Sequence, residues 1–201
     1  MFDPPHIGHV ILASEAAWQL GLDEVRLVVC ARPSHRAAGW CAPEVRVRLV
    51  QAATAAHPGL SASRAELDRP GPNFMVDTLS DFAAAEPDAA FWLLLGADQL
   101  TSFETWRDPE RIVQIARLAV AARDGVDRTD LQAAAEQVAP GRVDWVQMPG
   151  VAVSSTMIRE RIAGGRPIRH LVSPPVADLL AAEGLVESSV RATLPSPSRP
   201  T

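Results

Sequence analysis

The sequence has few cysteines, no excess of positive charge and no long apolar run, and each absence excludes a class of protein. Cys30 and Cys41 are the only cysteines in 201 residues, and they lack the spacing of a disulfide framework or a zinc site. A formal charge of −5, from 19 basic and 24 acidic residues, argues against a protein that coats nucleic acid or an anionic membrane. No apolar run approaches the roughly 20 residues that span a bilayer, and an N-terminus with Asp3 and two prolines is not a signal peptide. We therefore expect a cytoplasmic protein with no nucleic-acid and no membrane partner, whose oligomeric state the sequence leaves open.

The chain alternates short apolar runs with longer amphipathic ones, which is the pattern of a parallel α/β sheet. The predicted strands are Val25 to Cys30, Leu60 to Ala65, Phe91 to Leu95, Leu118 to Ala122 and Val143 to Gln147. The predicted helices are Gly8 to Leu20, Pro43 to His57, Met75 to Ala85, Asp108 to Ala116, Thr129 to Val138, Ser154 to Ala163 and Pro174 to Glu183. The length suits one domain, which we place at residues 1–186, and the Ser- and Pro-rich residues 187–201 are predicted to form a flexible tail.

The sharpest local motif is Phe2-Asp3-Pro4-Pro5-His6-Ile7-Gly8-His9, which an apolar helix follows at once. The two prolines prevent a helix before His6, so the helix begins near Gly8 and its free backbone N–H groups form an anion site. His6 and His9 are three residues apart and can face one point, and Gly8 has no Cβ to keep a phosphate away. The motif therefore predicts a polyphosphate cradle.

Two other interpretations of the histidines are open. Single histidines are usually surface or capping residues, although a pair around a glycine makes that less probable here. A metal site would need a third and a fourth ligand, and the remaining histidines have no ligand-like spacing. They are His35, His57 and His170.

A second anion site is predicted at Val153-Ser154-Ser155-Thr156-Met157-Ile158-Arg159. Ser154 or Ser155 suits the N-cap of the following helix, and the hydroxyls and free N–H groups can bind an anion. Arg159 lies one turn along the face of Thr156, and a guanidinium suits phosphate oxygens. Capping alone would explain the serines, but not the arginine.

Polar residues also follow two predicted strands. Gly96 and Asp98 stand at the carboxyl end of the most apolar strand, where a carboxylate can accept ribose hydroxyls, and Trp106 could stack on a flat ring. An N-cap role for Asp98 and a core role for Trp106 are the alternatives. After the first predicted strand, His35 and Arg36 lie on a basic segment that could cover a phosphate site.

These motifs together resemble those of the bacterial nicotinate-nucleotide adenylyltransferases, within the nucleotidylyltransferases that carry His-x-Gly-His early and Ser-Ser-Thr-x-x-Arg late. His-x-Gly-His marks only the wider group, whereas Glu-Leu-x-Arg, Asp-Thr-Leu and Gly-Ala-Asp to Trp point to the pyridine-nucleotide branch. The resemblance runs from Phe2 to about Val186. It includes Phe2 to His9, Pro33 to Arg36, Arg46, Glu66 to Arg69, Val76 to Leu79, Gly96 to Asp98, Trp106, Arg123, Ser154 to Thr156 and Arg159.

The resemblance implies a Rossmann-like, doubly wound parallel sheet and a reaction of ATP with nicotinate mononucleotide. The products would be the deamido dinucleotide (deamido-NAD) and pyrophosphate, and Mg²⁺ would accompany the ATP, with no metal site made by the protein. The implied catalytic residues are His6, His9 and Arg159. The implied ATP-binding residues are Gly8, Gly96, Asp98, Ser154, Ser155 and Thr156, and those for the acceptor are Trp106, His35, Arg36, Asn73 and Met75.

The chain departs from the family pattern in three places. The usual first strand, which ends Gly-Gly-Ser/Thr before Phe-Asp, is lacking, so we expect a sheet without it and explain the lack by a misassigned start or a truncation. Asn73-Phe74-Met75 replaces Ser-Tyr-Thr, and Arg36 replaces a lysine. Three alternatives therefore stay open: transfer to another phosphorylated acceptor, a non-catalytic nucleotide-binding protein, and a histidine metal hydrolase.

Overall fold

The computed structural model describes residues 2–31, 39–123 and 128–186. The strands are β1 Val25–Val28, β2 Leu60–Ser63, β3 Phe91–Gly96, β4 Ala116–Arg123 and β5 Val143–Met148. The helices are α1 Ile7–Leu20, α2 Pro43–Thr54, α3 Ala65–Asp68, α4 Met75–Ala85, α5 Ala97–Leu100, α6 Pro109–Ile115, α7 Arg128–Val138, α8 Ser155–Ala163 and α9 Pro174–Ala182, with a 3₁₀ turn at Phe103–Thr105. The predicted alternation of strands and helices is confirmed.

All strand pairs are parallel, as the alternation predicts. β1 pairs with β2, with Val25 opposite Leu60. β4 lies between β3 and β5, with Phe91 opposite Ala116 and Leu118 opposite Val143. The carboxyl ends of β3, β4 and β5 therefore lie at one edge, which is where ligands bind to open α/β sheets.

The hydrogen-bonded strands form two sheets, β1-β2 and β3-β4-β5, within the described part of the chain. α1 lies against β5 and also touches β1. The side chain of Gln19 donates from Nε2 to the carbonyl of Gln147 at 2.6 Å and accepts from its N–H at 2.9 Å. An amide side chain therefore supplies both bonds that a neighbouring strand would make at this point of β5.

The core is built from helix faces packed on these sheets. Leu95 and Leu118 of the three-stranded sheet pack with Leu79 of α4 and Ile112 of α6. A second cluster joins α2, α8 and α9 through residues that include Leu49, Ile158 and Leu180. On the other side, Ala16 of α1 packs on Ala119 and Val146. Burying this apolar surface holds the amino ends of α1 and α8 in fixed positions.

The element boundaries differ from the predictions at a few positions. β1 stops at Val28, two residues before the predicted end, and Ala65 opens α3 where a strand was predicted to continue. α3, α5 and the 3₁₀ turn were not predicted, because elements of three or four residues are too short to show a helical period. α1 begins at Ile7, one residue before the predicted Gly8.

Two further expectations concern membrane-spanning helices and the tail of the chain. No helix in the described ranges has the length and apolar character needed to cross a membrane. The predicted tail at 187–201 lies outside the described residues, so the boundary of the domain at residue 186 stays a prediction.

Candidate functional site

The amino end of α1 holds the paired histidines in contact. His6 is the N-cap residue, with the extended backbone (φ −142°, ψ 170°) that is typical of N-cap residues. The backbone N–H of His6 donates to Nδ1 of His9 at 3.2 Å, and the two rings stack with their centroids 3.7 Å apart. The rings of Phe2 and His9 meet edge to face, with their centroids 4.9 Å apart. The spacing therefore brings both imidazoles to one place, as predicted.

His9 is held in its neutral form. Its pKa is lowered from 6.5 to about 3, first of all by burial and then by the charges of His6 and of the N-terminus. Since Nδ1 accepts the bond from His6, the proton of the neutral ring lies on Nε2. His9 can therefore offer an N–H donor to a phosphate oxygen without carrying a charge.

Gly8 has a structural role in addition to the one predicted for it. A Cβ at this position would lie 3.1 Å from Nδ1 of His6, which is tighter than ordinary van der Waals contact. The missing side chain therefore lets the His6 ring fold back over the first turn of α1. The ATP-binding role of Gly8 stays a prediction.

The amino end of α8 is joined to the amino-terminal loop by side-chain hydrogen bonds. Ser154 is the N-cap and accepts from the N–H of Met157 at 3.1 Å, so the predicted capping is confirmed. Ser155 donates from Oγ to the carbonyl of Pro4 at 2.8 Å. The Ser-Ser-Thr motif therefore lies directly beside the histidine motif.

Arg159 makes a second link between the same two segments. Its Nη1 donates to the carbonyl of Asp3 at 2.8 Å, and its Nη2 donates to Oγ1 of Thr156 at 3.0 Å. The guanidinium is thus oriented by two partners that are neutral oxygens, so its positive charge is not cancelled by them. The side chain remains half-buried. This combination suits a phosphate group more than a structural ion pair.

Two buried charged residues, Asp3 and Arg46, stabilise the loop that carries the histidine motif. The carboxylate of Asp3 accepts from the N–H groups of Trp40 and Cys41 at 2.6 and 2.9 Å. Arg46, which is 1% exposed, donates to the carbonyls of Cys30 and Cys41. The two side chains tie the end of β1, the start of α2 and the histidine loop together. Sequence reasoning noted Arg46 only through the family resemblance and gave neither residue a role.

Replacing Arg46 by methionine is expected to lower the free energy of unfolding by about 2 to 5 kcal/mol, because one buried and one partly buried carbonyl lose this donor. Urea denaturation measures the change. Arg48→Met is the matched control on the same helix, since Arg48 is 52% exposed in its side chain and pairs with Glu183 at the surface. It should change the free energy of unfolding by about 1 kcal/mol or less. Equal losses of unfolding free energy in the two variants would contradict the stabilising role assigned to Arg46.

Gly96 and Asp98 lie together at the carboxyl end of β3. Gly96 ends the strand and is the N-cap of α5, so Asp98 is not the N-cap residue. A Cβ on Gly96 would come within 2.6 Å of Oδ1 of Asp98. Glycine is therefore needed for the carboxylate of Asp98 to fold back over the strand end, where it is exposed. The alternative of a capping aspartate is wrong.

The predicted acceptor residues fall into different environments. Trp106 is half-buried, packs 5.4 Å from the Phe103 ring and shares the core contacts of Met75. Asn73 is buried, and its amide is engaged inside the fold: Nδ2 donates to the carbonyl of Glu66 at 2.8 Å, and Oδ1 faces Sγ of Cys30 at 3.7 Å. His35 and Arg36 lie outside the described residues.

The first group of residues can bind a chain of phosphates. The Nε2–H of His9 and the guanidinium of Arg159 are both donors, and the amino ends of α1 and α8 add partial positive charge. Such fixed donors favour an anion whose charge grows during a reaction. The arrangement therefore suits the polyphosphate of a nucleotide and transfer at phosphorus.

Comparison with known proteins supports this assignment. The cytidylyltransferase-like family model matches residues 1–161. A probable nicotinate-nucleotide adenylyltransferase of Streptomyces coelicolor is 41% identical over 174 residues, which is 85% of this chain and 89% of that protein. A protein of the same name from Paenarthrobacter aurescens is 36% identical over 196 residues, which is 95% of this chain and 90% of that protein.

Solved structures confirm the fold. The Plasmodium falciparum nicotinic acid mononucleotide adenylyltransferase complexed with NaAD has a TM-score of 0.74 at 15% identity, and the match covers 92% of each chain. The complex of that enzyme with APC has a TM-score of 0.73 at 14% identity, and the match again covers 92% of each chain. The parallel sheets with flanking helices are therefore those of the Rossmann-like nucleotidyltransferases, and the chain belongs to the nicotinate-nucleotide adenylyltransferase family.

Proposed function

We propose that this chain transfers the adenylyl group of ATP to the phosphate of nicotinate mononucleotide, giving deamido-NAD and pyrophosphate for NAD biosynthesis. The observation that carries the proposal is the pair of hydrogen bonds that join α8 to the histidine loop, from Ser155 to Pro4 and from Arg159 to Asp3. They place two sets of phosphate-type donors side by side. The curated relatives, named for this activity, support the choice of acceptor.

The reaction is an in-line displacement at the α-phosphorus of ATP. An oxygen of the acceptor phosphate forms the new P–O bond, and the bond from the α-phosphorus to the bridging oxygen breaks, so that its electron pair leaves with pyrophosphate. The acceptor phosphate is already an anion near neutral pH, so no general base is required. Catalysis consists of positioning and of stabilising the charge on the leaving group.

His6, His9 and Arg159 hold the phosphates in this scheme. The neutral His9 donates a hydrogen bond from Nε2 to a phosphate oxygen. This hydrogen bond strengthens as negative charge develops on that oxygen. Arg159 adds a full positive charge from the side of α8. Thr156 and the carbonyl of Asp3 orient the guanidinium.

Mg²⁺ is expected to arrive with ATP. No group of three or more His, Cys, Asp or Glu side chains in the described ranges is arranged to hold a metal ion. Mg²⁺ commonly keeps several waters and binds through substrate phosphates, so phosphate oxygens would supply its ligands here. When bound, the ion would neutralise part of the negative charge on the polyphosphate.

The adenosine and the acceptor ring are assigned to the carboxyl edge of the sheet. The exposed carboxylate of Asp98, above Gly96, suits the ribose hydroxyls of the adenosine. The half-buried ring of Trp106, which packs on the same core cluster as Met75, offers a flat apolar surface for a pyridine ring.

We place the enzyme in the cytoplasm. Cys30 and Cys41 are unbridged thiols, as is usual in a reducing compartment. Burial raises the pKa of Cys30 to about 11 and that of Cys41 to about 12, so both remain protonated near neutral pH. Neither thiol is a nucleophile in the proposed reaction.

A second candidate is adenylyl transfer to another phosphorylated acceptor. It is favoured by Asn73-Phe74-Met75, where the amide of Asn73 is turned into the fold and Phe74 and Met75 present apolar side chains. An acceptor with fewer polar groups on its ring would suit that surface.

Pyrophosphate release from ATP, Mg²⁺ and nicotinate mononucleotide tests the proposal, with mass spectrometry of the dinucleotide product. Release that requires the acceptor is the expected result. The chain extended by any in-frame residues encoded upstream is assayed in parallel. If both chains fold but neither makes deamido-NAD, the proposal is overturned, and turnover with other phosphorylated acceptors would then support the second candidate. Nucleotide binding without turnover would support a non-catalytic protein.

A further inference from the structure

Two sequence motifs that take no part in phosphate binding are joined inside the fold. Glu66 opens the Glu-Leu-x-Arg motif, and Thr78 lies in the Asp-Thr-Leu motif. Both residues are buried, with 4% and 1% of their surface exposed. Oγ1 of Thr78 lies 2.9 Å from Oε1 of Glu66 and 3.4 Å from the carbonyl of Phe74. Since a hydroxyl has one proton, the shorter distance assigns that proton to the carboxylate of Glu66.

Arg69, the last residue of the first motif, completes this link. Its Nη1 donates to Oγ1 of Thr78 at 3.1 Å, so the hydroxyl accepts from a guanidinium and donates to a carboxylate. Its Nη2 pairs with the exposed carboxylate of Asp81 on α4. Hydrogen bonds that involve a charged group are stronger than those between neutral groups. The hydroxyl of Thr78 is therefore held from both sides.

The segment between the two motifs is closed by hydrogen bonds at both of its ends. It runs from Arg69 through Pro70-Gly71-Pro72 to Asn73, and Gly71 has a φ of +92°, in the left-handed region that favours glycine. At its start, Arg69 donates to Thr78 of α4. At its end, Asn73 donates from Nδ2 back to the carbonyl of Glu66 in α3 at 2.8 Å. The two bonds together hold α3 and the amino end of α4 in one relative position.

This closed segment leads directly into residues that the proposed function assigns to the acceptor. α4 begins at Met75, and Phe74 is its N-cap residue. Phe74 and Met75 pack on the same core cluster as Trp106, the ring proposed to contact the acceptor. A shift of the amino end of α4 would therefore move these apolar side chains relative to Trp106.

We propose that Thr78 is a positioning residue for acceptor binding, which with Glu66 and Arg69 holds the amino end of α4 in the arrangement that receives the acceptor; this inference rests on the proposed function. With 1% of its surface exposed, Thr78 acts through the closed segment and not by touching substrate. Without its hydroxyl, the segment populates other arrangements, and the apparent affinity for the acceptor falls with the fraction that remains competent. The phosphate donors His9 and Arg159 lie on other elements, so ATP binding should not change.

Thr78→Val tests this role, because valine has nearly the shape of threonine without the hydroxyl. Pyrophosphate release gives kcat and KM for nicotinate mononucleotide at saturating ATP, and KM for ATP at saturating acceptor. KM for the acceptor should rise about tenfold, as it does when the competent arrangement falls to about a tenth of the population. kcat and KM for ATP should stay within about twofold, since only binding of the acceptor is affected. Thr78→Ser keeps the hydroxyl and should restore the wild-type KM.

Thr54→Val is the matched control for a purely structural effect. Thr54 is also buried, with 4% of its surface exposed, and its Oγ1 donates to the carbonyl of Val50 at 3.0 Å within α2. The loss of this hydroxyl should leave KM for the acceptor unchanged, even where it lowers the melting temperature. Thermal unfolding shows that each variant is folded.

Arg69→Met tests the same link from its half-buried outer end, because it removes the donor to Thr78 and leaves the bond from Thr78 to Glu66 in place. Its KM for the acceptor should also rise, with kcat and KM for ATP again unchanged. If Thr78→Val does not fold, Arg69→Met decides the question by these criteria.

The outcomes separate this inference from the proposed function. An unchanged acceptor KM in folded Thr78→Val and Arg69→Met would overturn the positioning role and leave the adenylyl transfer standing. Equal rises in KM for acceptor and for ATP, or an equal rise of acceptor KM in Thr54→Val, would also overturn it, since the cause would then be a general loss of structure. A wild-type chain that does not turn over nicotinate mononucleotide would overturn both proposals.

Discussion

Replacing His9 by alanine is expected to lower kcat about 10²- to 10³-fold, the usual effect of removing one donor from a site that stabilises developing charge. The imidazole of His9 stacks on the His6 ring, and its Nδ1 accepts a hydrogen bond from the backbone N–H of His6. The Nε2–H donor of His9 is therefore oriented before substrate binds. KM for ATP should change less than kcat, because the bond is strongest in the transition state. Pyrophosphate release under saturating substrates measures the effect.

His9→Gln and His9→Asn form a matched pair for this prediction. The side-chain nitrogen of glutamine can reach the position of Nε2, whereas that of asparagine reaches only the position of Nδ1. The glutamine variant should therefore keep more activity than the asparagine variant. Equal activities, or full activity in the alanine variant, would show that the Nε2–H donor has no part in the reaction.

The lowered pKa of His9 also predicts how activity and stability depend on pH. Because its pKa falls from 6.5 to about 3 in the fold, His9 stays neutral through the physiological range and adds no inflection to the kcat/KM profile there. An inflection at about pH 6 should come from the acceptor phosphate and persist in His9→Gln. The folded state binds the proton less tightly than the unfolded state. The stability linked to His9 is therefore fully present above pH 6.5 and is lost as the pH falls towards about 3.

Arg159→Ala is expected to lower kcat by a similar factor of about 10² to 10³, because a full positive charge that the protein supplies to the leaving group is removed. Arg159→Lys should recover part of the activity. Lysine keeps the charge but cannot bond both the carbonyl of Asp3 and the hydroxyl of Thr156 in the observed geometry. The same pyrophosphate assay gives kcat for both variants.

Arg161→Lys is the control for Arg159, since Arg161 lies on the same helix and donates to the carbonyl of Pro167 near the helix end. Its kcat should stay within about twofold of the wild type, as expected for a surface substitution. Comparable losses in Arg159→Ala and Arg161→Lys would indicate that α8 as a whole had been disturbed. In that case the specific role of Arg159 would be rejected.

Much of this fold and site could be predicted because the relevant signals are local. The apolar period placed the longer helices, and the prolines before His6 and the serine before α8 placed two helix starts within one residue. Chemical type was enough to suggest one anion site at His9 and a second at Arg159, and the family resemblance implied that both bind ATP. The hydrogen bonds from α8 to Asp3 and Pro4 confirm that the two motifs meet.

The features that could not be predicted depend on tertiary contacts. Nothing in its neighbours shows that Arg46 is buried, because its partners are backbone carbonyls of other segments. That the amide of Asn73 bonds the carbonyl of Glu66 inside the fold could not be predicted, and the acceptor role that the resemblance implied for Asn73 stays a prediction. The division into two hydrogen-bonded sheets could not be derived either, since strand pairing is set by packing and not by the residues of one strand.

The bonds between α8 and the amino-terminal loop also bear on how the site forms during folding. One bond joins residues that are 151 positions apart in the sequence, and the other joins residues that are 156 positions apart. Both bonds therefore close very long loops of chain. The entropy lost on such closure must be offset by contacts throughout the intervening domain, and neither motif can hold the other in place alone. Catalytic competence should therefore appear only when the last long-range contacts form, and a nicked or partly folded chain should lose it before its helices unravel.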